Sequence, residues 1–334
     1  MTSVSFSGNN LIGRAIWYAE KGVVDLRPET LRRPKPDEVL VRMLFSGISR
    51  GTERLILNGS VPEMEWKRMR APMQEGDFPF PVKYGYCGVG VIEQGPDDLM
   101  GRTVFCLHPH QDRFVVPALS TIPLPEWVPA RRAVLGANME TALNALWDSG
   151  AGPADCIVVV GAGVLGLLIA KLCVALPGAR VTLVDVANER RVLASQMGVN
   201  FASPDNAPLE ADLVFHTSAS ASGLETALRV AGQEARVIEM SWYGNSAISA
   251  NLGGTFHSRR LSLISSQVGQ IAASHRPRWT YRRRLEAALG LLADPVLDLL
   301  LGDDLEFDDA PVRLPDLLKQ SSSGMPPVIR YPAT

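Results

Sequence analysis

Three glycines fall in the run Gly161-Ala-Gly163-Val164-Leu165-Gly166, directly after the apolar segment Cys156-Ile-Val-Val-Val160 and at the start of the apolar stretch Leu165–Leu176. A GxGxxG spacing alone is weak evidence, but between a strand and a helix it has a defined use. Gly161 permits the tight turn, Gly163 lets the backbone approach a pyrophosphate, and Gly166 lets the helix pack closely on the strand. The free N–H groups of the first helical turn, at Val164 and Leu165, then meet the phosphates with the positive end of the helix dipole behind them. Asp185 closes the next apolar run, nineteen residues beyond Gly166. A carboxylate there accepts both ribose hydroxyls and repels a 2′-phosphate, which favours NAD over NADP. Arg190 and Arg191 follow closely, and either one softens that preference. The chemistry implied is hydride transfer, which asks the protein to place a nicotinamide against a substrate carbon and to handle one proton. A glycine turn holding some other ligand is the alternative.

Two kinds of element must position these residues. From Ala130 a helical pattern runs through Trp147, followed by the strand Cys156–Val160, the helix Leu165–Leu176, the strand Arg180–Asp185 and a polar helix ending near Gly198. The strands Asp212–His216 and Ala235–Met240, with the helix Gly223–Val230 between them, continue the alternation. Such a sequence predicts a parallel sheet with helices on both faces. The residues before Pro125 read instead as strands and turns, with strands at Val39–Phe45, Gly88–Glu93 and Thr103–Leu107. Pro62–Pro81 is rich in proline and reads as a long loop with one helical turn near Met64–Met69. After Leu261–Ser266 the pattern turns to a helix at Tyr281–Leu292 and a short strand at Pro327–Arg330. The expected division is 1–130, 131–268 and 269–334.

The 334 residues suffice for two domains with full cores, and 46% hydrophobic with 20% charged residues is an ordinary soluble balance. With 33 basic against 35 acidic residues, no electrostatic reason exists to expect nucleic acid or an anionic membrane as a partner. The basic run Arg276–Arg284 reads as a solvated face at a helix start. Met1–Asn10 is polar and lacks the apolar core of a signal peptide, and no apolar run spans a bilayer. Cys87, Cys106, Cys156 and Cys173 form no CxxC pair, which suits a reducing cytoplasm better than disulfides or a thiolate cluster. A cytoplasmic protein with a small-molecule substrate is the expectation.

From about Val39 to its end the chain resembles the medium-chain dehydrogenase/reductase superfamily, the alcohol-dehydrogenase-like enzymes. The resemblance implies an α/β protein in which a GroES-like, mainly β catalytic domain is split around a central, doubly wound Rossmann domain. It also implies a homodimer joined at the sheet edge Leu261–Ser265. Zinc-using members carry a cysteine in a pattern like GICRSD, a GHE motif, and another cysteine before the Rossmann domain. Here the corresponding segments read Gly47-Ile-Ser49-Arg50-Gly-Thr52-Glu53, Gly85-Tyr86-Cys87 and Gly136-Ala137-Asn138-Met139-Glu140-Thr141. By that correspondence Ser49, Tyr86 and Ala137 replace the ligands, and Cys87 replaces the glutamate behind them. The cysteine loop of a structural zinc is missing between Glu93 and Gly101. Serine, tyrosine and alanine do not supply the thiolate and imidazole set that holds zinc, so no metal is expected. Cys87 with a nearby histidine such as His110 is the residual ligand pair. Gly-Tyr in place of Gly-His makes the chain more specifically similar to the bacteriochlorophyllide a dehydrogenase branch, whose members oxidise a secondary hydroxyethyl side chain with NAD.

Without zinc, hydrogen-bond donors must stabilise a developing alkoxide. Tyr86 offers a phenol as general acid or oxyanion partner, or simply fills the vacated metal space. Ser49 and Thr52 offer a proton relay, or merely form the turn. The resemblance also carries Arg50 over to the cofactor pyrophosphate, and Thr141, Tyr243, Ser266 and Gln267 to the cofactor more generally. His216 ends a strand at the carboxyl edge of the sheet, where such cofactors bind, and is a further candidate contact. Glu53 and Glu140 are expected to face the same cleft, with Glu140 also favoured by the helix dipole. His108 and His110 are acids or surface residues, and Trp66 and Trp242 line the pocket or pack as core. The resulting expectation is an NAD(H)-dependent, zinc-independent oxidoreductase that interconverts an alcohol and a carbonyl. The alternatives are a quinone or enoyl reductase acting on an activated double bond, and a dinucleotide-binding protein without turnover.

Overall fold

The computed structural model describes residues 11–319 and 324–333; the polar segment Met1–Asn10, read above for a signal peptide, lies outside them. The chain divides into two compact units at Ala137/Asn138 and Leu300/Leu301.

The first unit holds the residues up to Ala137 and those from Leu301 onward. Its framework is the strand Glu38–Gly47, whose Val39, Leu40, Val41 and Met43 are fully buried. That strand pairs antiparallel with Gly88–Gln94, Arg113–Pro117 and the late strand Val328–Arg330. Thr103–Cys106 and Thr121–Pro123 extend the sheet beyond Gly88–Gln94, and Asp304–Glu306 extends it beyond Val328–Arg330. A second, four-stranded sheet is built on the hairpin Leu11–Glu20 and Val23–Leu31, with Val82–Lys83 and Glu75–Gly76 added at its side. This hairpin was not among the strands expected from sequence.

One register matters for the chemistry. Ser46 lies opposite Gly88, and the Gly47 N–H donates to the Cys87 carbonyl at 3.0 Å. The helix Arg50–Leu57, preceded by Ser49, therefore starts beside the segment that carries Tyr86 and Cys87.

The second unit, Asn138–Leu300, is built on six parallel strands. Across the sheet they run Asn200–Ala202, Arg180–Val184, Cys156–Val160, Ala211–His216, Ala231–Glu239 and Ser262–Ser265. Numbered by sequence this is 3-2-1-4-5-6, the doubly wound order in which ligands bind at the carboxyl ends near the reversal between strands 1 and 4. Cys156–Val160 is a continuous apolar run because a central parallel strand is covered on both faces. Val158, Val160, Val214 and Val237 pack with Leu224, Ala227 and Leu228 of the helix Ala221–Val230. The helix Val164–Val174 buries Leu167, Leu168, Ile169, Ala170 and Cys173. Each such leucine or isoleucine contributes roughly 1.5–3 kcal/mol of burial.

Three expectations change. The single helix from Ala130 to Trp147 is two, Ala130–Ala133 and Gly136–Ser149. The helix expected at Tyr281–Leu292 is Tyr281–Gly290, opened by Thr280, whose side chain accepts from the Arg283 N–H, and an unexpected helix Ala310–Leu317 follows. The unit boundary moves from 268 to Leu300, and the reason is an ion pair. Arg284 is buried, donating to Glu140 at 3.0 Å, to Asn144 Oδ1 at 2.6 Å and to the Val268 carbonyl at 2.6 Å. Residues 269–300 are thereby fastened to the helix Gly136–Ser149, and Arg284 is not part of a solvated face. No helix among the described residues is long and apolar enough to cross a membrane.

Candidate functional site

In the second unit the glycine loop is closed from three sides. Gly161 has φ +110°, a conformation only glycine adopts readily. The Thr217 hydroxyl donates to the carbonyls of Val160 and Gly161 at 3.1 and 3.0 Å. A Cβ on Gly166 would run into the Gly161 carbonyl, so this position accepts no side chain. Gly163 differs: it is exposed, and a Cβ there would meet nothing within 4 Å. Its lack of a side chain is not required by packing. It leaves the start of the helix Val164–Val174 bare, with Val164 and Leu165 half-exposed beside it.

Asp185 stands half-buried at the end of its strand. Its Oδ2 accepts from the Ala162 N–H at 2.6 Å and its Oδ1 from the Ala187 N–H at 2.8 Å. Each oxygen retains a second acceptor site for a ribose hydroxyl. Arg190 opens the helix Arg190–Gln196, half-buried, while the Arg191 guanidinium packs over Phe201 and donates to its carbonyl.

His216 is fully buried. Its Nδ1 lies 2.7 Å from Glu239 Oε2 and its Nε2 lies 2.7 Å from Ser218 Oγ. Both nitrogens of the expected cofactor contact are thus engaged within the protein, by the ends of neighbouring segments. Burial works against ionisation of Glu239, yet His216 and Ser241 outweigh it and hold the carboxyl below its usual range. The half-buried Tyr243 donates its hydroxyl to Glu239 at 3.1 Å. Ser266 is buried with its hydroxyl donating to Asp148 at 2.6 Å, and the exposed Gln267 accepts from the Gly269 N–H at 2.7 Å. Thr141 lies half-buried on the helix Gly136–Ser149. Glu140 does not face a cleft, because it is buried against Arg284.

In the first unit Ser49, Thr52 and Tyr86 come together. The Tyr86 hydroxyl donates to Thr52 Oγ1 at 3.4 Å, and the Ser49 side chain also hydrogen-bonds the phenol. Burial, and then the neighbouring Cys87, raise Tyr86 above the ordinary phenol range, while the Ser49 and Thr52 contacts pull it back. The phenol therefore stays protonated at neutral pH and can donate a hydrogen bond. Arg50, in the first turn of the helix, donates to the Gly324 carbonyl at 3.0 Å. Glu53 and His110 lie in the core behind this cluster, 3.2 Å apart. Thr217, Ser218 and Glu239 were missed from sequence. The available signal was the hydroxyl pair Thr217-Ser218 directly after a strand of the parallel sheet.

No family model matches the chain. A curated relative, 2-desacetyl-2-hydroxyethyl bacteriochlorophyllide A dehydrogenase of Cereibacter sphaeroides, is 30% identical over 184 residues. The match covers 48% of this chain and 52% of the relative, so the chain spans about half the length of that protein. Among solved structures, a Sinorhizobium meliloti 1021 protein bound to NADP superposes with TM-score 0.75 at 17% identity, over 96% of this chain and 99% of that one. A protein described as a short chain alcohol dehydrogenase from E. coli CFT073, complexed with NADH, also gives TM-score 0.75 at 17% identity, over 96% of this chain and 99% of that one. The chain therefore shares its fold with these dehydrogenases.

The Sinorhizobium meliloti protein is described as zinc-binding, so the residues here are tested against that metal. Among the described residues no group of three or more His, Cys, Asp or Glu side chains could hold a metal ion. The residual pair is Cys87 with His110, and burial raises the Cys87 thiol above its ordinary range. His110 has Nδ1 2.7 Å from Ser46 Oγ and Nε2 facing Glu53.

Proposed function

We propose that the protein is an NAD(H)-dependent oxidoreductase that interconverts an alcohol and a carbonyl without zinc. The observation that carries this reading is the contrast within the glycine loop. Gly161 and Gly166 are demanded by packing, whereas Gly163 is bare for no packing reason, and Asp185 closes the loop. That arrangement fits a pyrophosphate over the helix start and a ribose at the carboxylate. When bound, the nicotinamide would take a hydride from the carbon bearing the substrate hydroxyl, or return it to the carbonyl.

In this reading the chain's own residues handle the oxygen. The Tyr86 phenol donates a hydrogen bond to a carbonyl or alkoxide oxygen. Ser49 and Thr52 orient the phenol, and the alcohol proton released on oxidation passes through these hydroxyls to solvent. NAD is favoured because Asp185 sets a negative charge where a 2′-phosphate would lie. The relative named for a hydroxyethyl substituent suggests a secondary hydroxyethyl group on a ring as the substrate class. A homodimer and a cytoplasmic location belong to the same proposal.

The test uses chelator-treated protein of measured metal content, NAD, and 1-phenylethanol with acetophenone as the matched pair. Expected are sub-stoichiometric zinc, no loss of rate on chelation, and NADH formation. Stoichiometric zinc whose removal abolishes turnover would overturn the metal-free reading. NADH oxidation by a quinone or enone but not by acetophenone would replace the alcohol/carbonyl assignment.

A further inference from the structure

Behind the Ser49–Thr52–Tyr86 cluster a chain of polar groups runs through the core of the first unit. Glu53 is 1% exposed and His110 and Ser46 are fully buried. Glu53 Oε2 accepts from the Tyr18 hydroxyl at 2.7 Å and faces His110 Nε2 at 3.2 Å. Its Oε1 accepts from the Ser49 backbone N–H at 2.6 Å. On the far side of the imidazole, His110 Nδ1 lies 2.7 Å from Ser46 Oγ, which lies 2.9 Å from the Tyr331 hydroxyl.

A buried carboxylate is costly unless donors surround it, and removing one partner leaves the others unsatisfied. Here the donors come from separate parts of the unit: Tyr18 from the first strand, His110 from a loop, and Ser49 from the residue before a helix. Only Ser49 leads toward the proposed chemistry. Its N–H is fixed by Glu53 and its side chain contacts Tyr86. The link is a backbone hydrogen bond, so it transmits position and not a proton. Tyr84 and Cys87 are the other titratable groups near Tyr86 and Glu53.

We propose that Glu53 is a positioning residue. Held by Tyr18 and His110, it clamps Ser49 so that Ser49 and Thr52 keep the Tyr86 hydroxyl in one orientation. This inference rests on the oxidoreductase reading only for its kinetic consequence; the orientation of Tyr86 is observable by itself.

The experiment compares wild type, Glu53→Gln, Tyr18→Phe and Tyr86→Phe. Each is labelled with ring-13C tyrosine, and the Tyr86 resonance is assigned by its loss in Tyr86→Phe. Glu53→Gln keeps the size of the side chain and an acceptor oxygen. Tyr18→Phe removes one donor, and serves if Glu53→Gln fails to fold. Expected is a displaced or broadened Tyr86 resonance in Glu53→Gln, with a smaller change of the same sense in Tyr18→Phe. NAD-dependent oxidation of 1-phenylethanol should lose about 10- to 100-fold in kcat with KM little changed, as a misplaced catalytic group does. Unchanged Tyr86 resonances in both folded variants would overturn the proposal. If Tyr86→Phe turns over at the wild-type rate while Glu53→Gln still displaces the resonance, the positioning stands and the catalytic reading of Tyr86 falls.

Discussion

The Oδ2 atom of Asp185 accepts a hydrogen bond at 2.6 Å from the backbone N–H of Ala162, the second residue of the glycine loop. The carboxylate at the end of one strand thus shapes the loop that follows its neighbour, and the two parts of the proposed dinucleotide site are one structure. Asp185→Asn keeps the size of the side chain, removes the charge and leaves one of the two backbone N–H groups without its acceptor. NADH affinity is expected to fall about 10-fold or more, since a hydrogen bond to a charged group is worth about 1.5–3 kcal/mol. The preference for NADH over NADPH should narrow at the same time. Fluorescence titration with both cofactors checks this, and an unchanged ratio would remove Asp185 from cofactor selection.

Gly163 and Gly166 predict opposite outcomes for the same substitution. Gly163→Ala meets no neighbouring atom, and its φ of −77° suits alanine, so its melting temperature should match the wild type. Its NADH affinity should nevertheless fall at least about 10-fold, because the methyl occupies the approach of the pyrophosphate. Gly166→Ala drives Cβ against the Gly161 carbonyl and should lose about 1–3 kcal/mol of stability in urea unfolding. Equal stability loss in both variants would contradict the separation of roles.

What was legible from sequence and what was not follow the range of each interaction. The glycine loop and Asp185 are read from short spacings and from two apolar runs, and a parallel sheet is read from the alternation of strands and helices, but its 3-2-1-4-5-6 order and its edge strand Asn200–Ala202 are not. The approach of Ser49 and Thr52 to Tyr86 was suggested by family correspondence, and the Ser46–Gly88 register accounts for it. Glu53 and His110 stand 57 residues apart, and Arg284 and Glu140 stand 144 apart. No local pattern marks either pair, so Glu140 was assigned to a cleft and Arg284 to a solvated face. His216 is a related case: its place at a strand end and its partner Ser218 are local, but its other partner, Glu239, stands 23 residues away.

Tyr86→Phe removes one hydrogen bond donor from the proposed oxygen-binding group and leaves the ring, which sits edge-on to Tyr84 at 5.9 Å. Loss of such a donor costs roughly 10²- to 10³-fold in kcat. KM for the alcohol and affinity for NAD should change little. Steady-state kinetics with 1-phenylethanol reads the split, and an undiminished kcat would leave Tyr86 as a residue that only fills space.

The buried ion pair of Arg284 and Glu140 is expected to govern the stability of the second unit. Burial raises the Glu140 carboxyl, while Arg284 opposes that shift. Glu140→Ala leaves a buried guanidinium without its carboxylate and should destabilise by about 3–5 kcal/mol. Replacing both partners by apolar residues should recover much of that loss, as measured by urea unfolding. A destabilisation below about 1 kcal/mol for the single variant would contradict the role given to the pair.

His108 gives the protein an acid limit. Burial holds its pKa down at about 3, and its ring stacks on Phe114 with 3.7 Å between centroids. An unfolded histidine titrates near 6.5. Between those values the unfolded chain carries a proton that the folded chain does not, so this contribution is full above about pH 6.5 and is lost as pH falls toward 3. The loss approaches about 1.4 kcal/mol per pH unit. His108→Phe should therefore show a shallower fall in unfolding free energy from pH 7 to pH 5 than the wild type. Equal slopes would show that His108 is protonated in the folded protein.

Calorimetric titration of the purified protein with NADH and with NADPH, repeated on Gly163→Ala, tests the central claim most directly. The prediction is one NADH site per chain, weaker binding of NADPH, and a marked loss of NADH affinity in the variant at unchanged melting temperature. No NADH binding by the wild type, or tighter binding of NADPH, would contradict it.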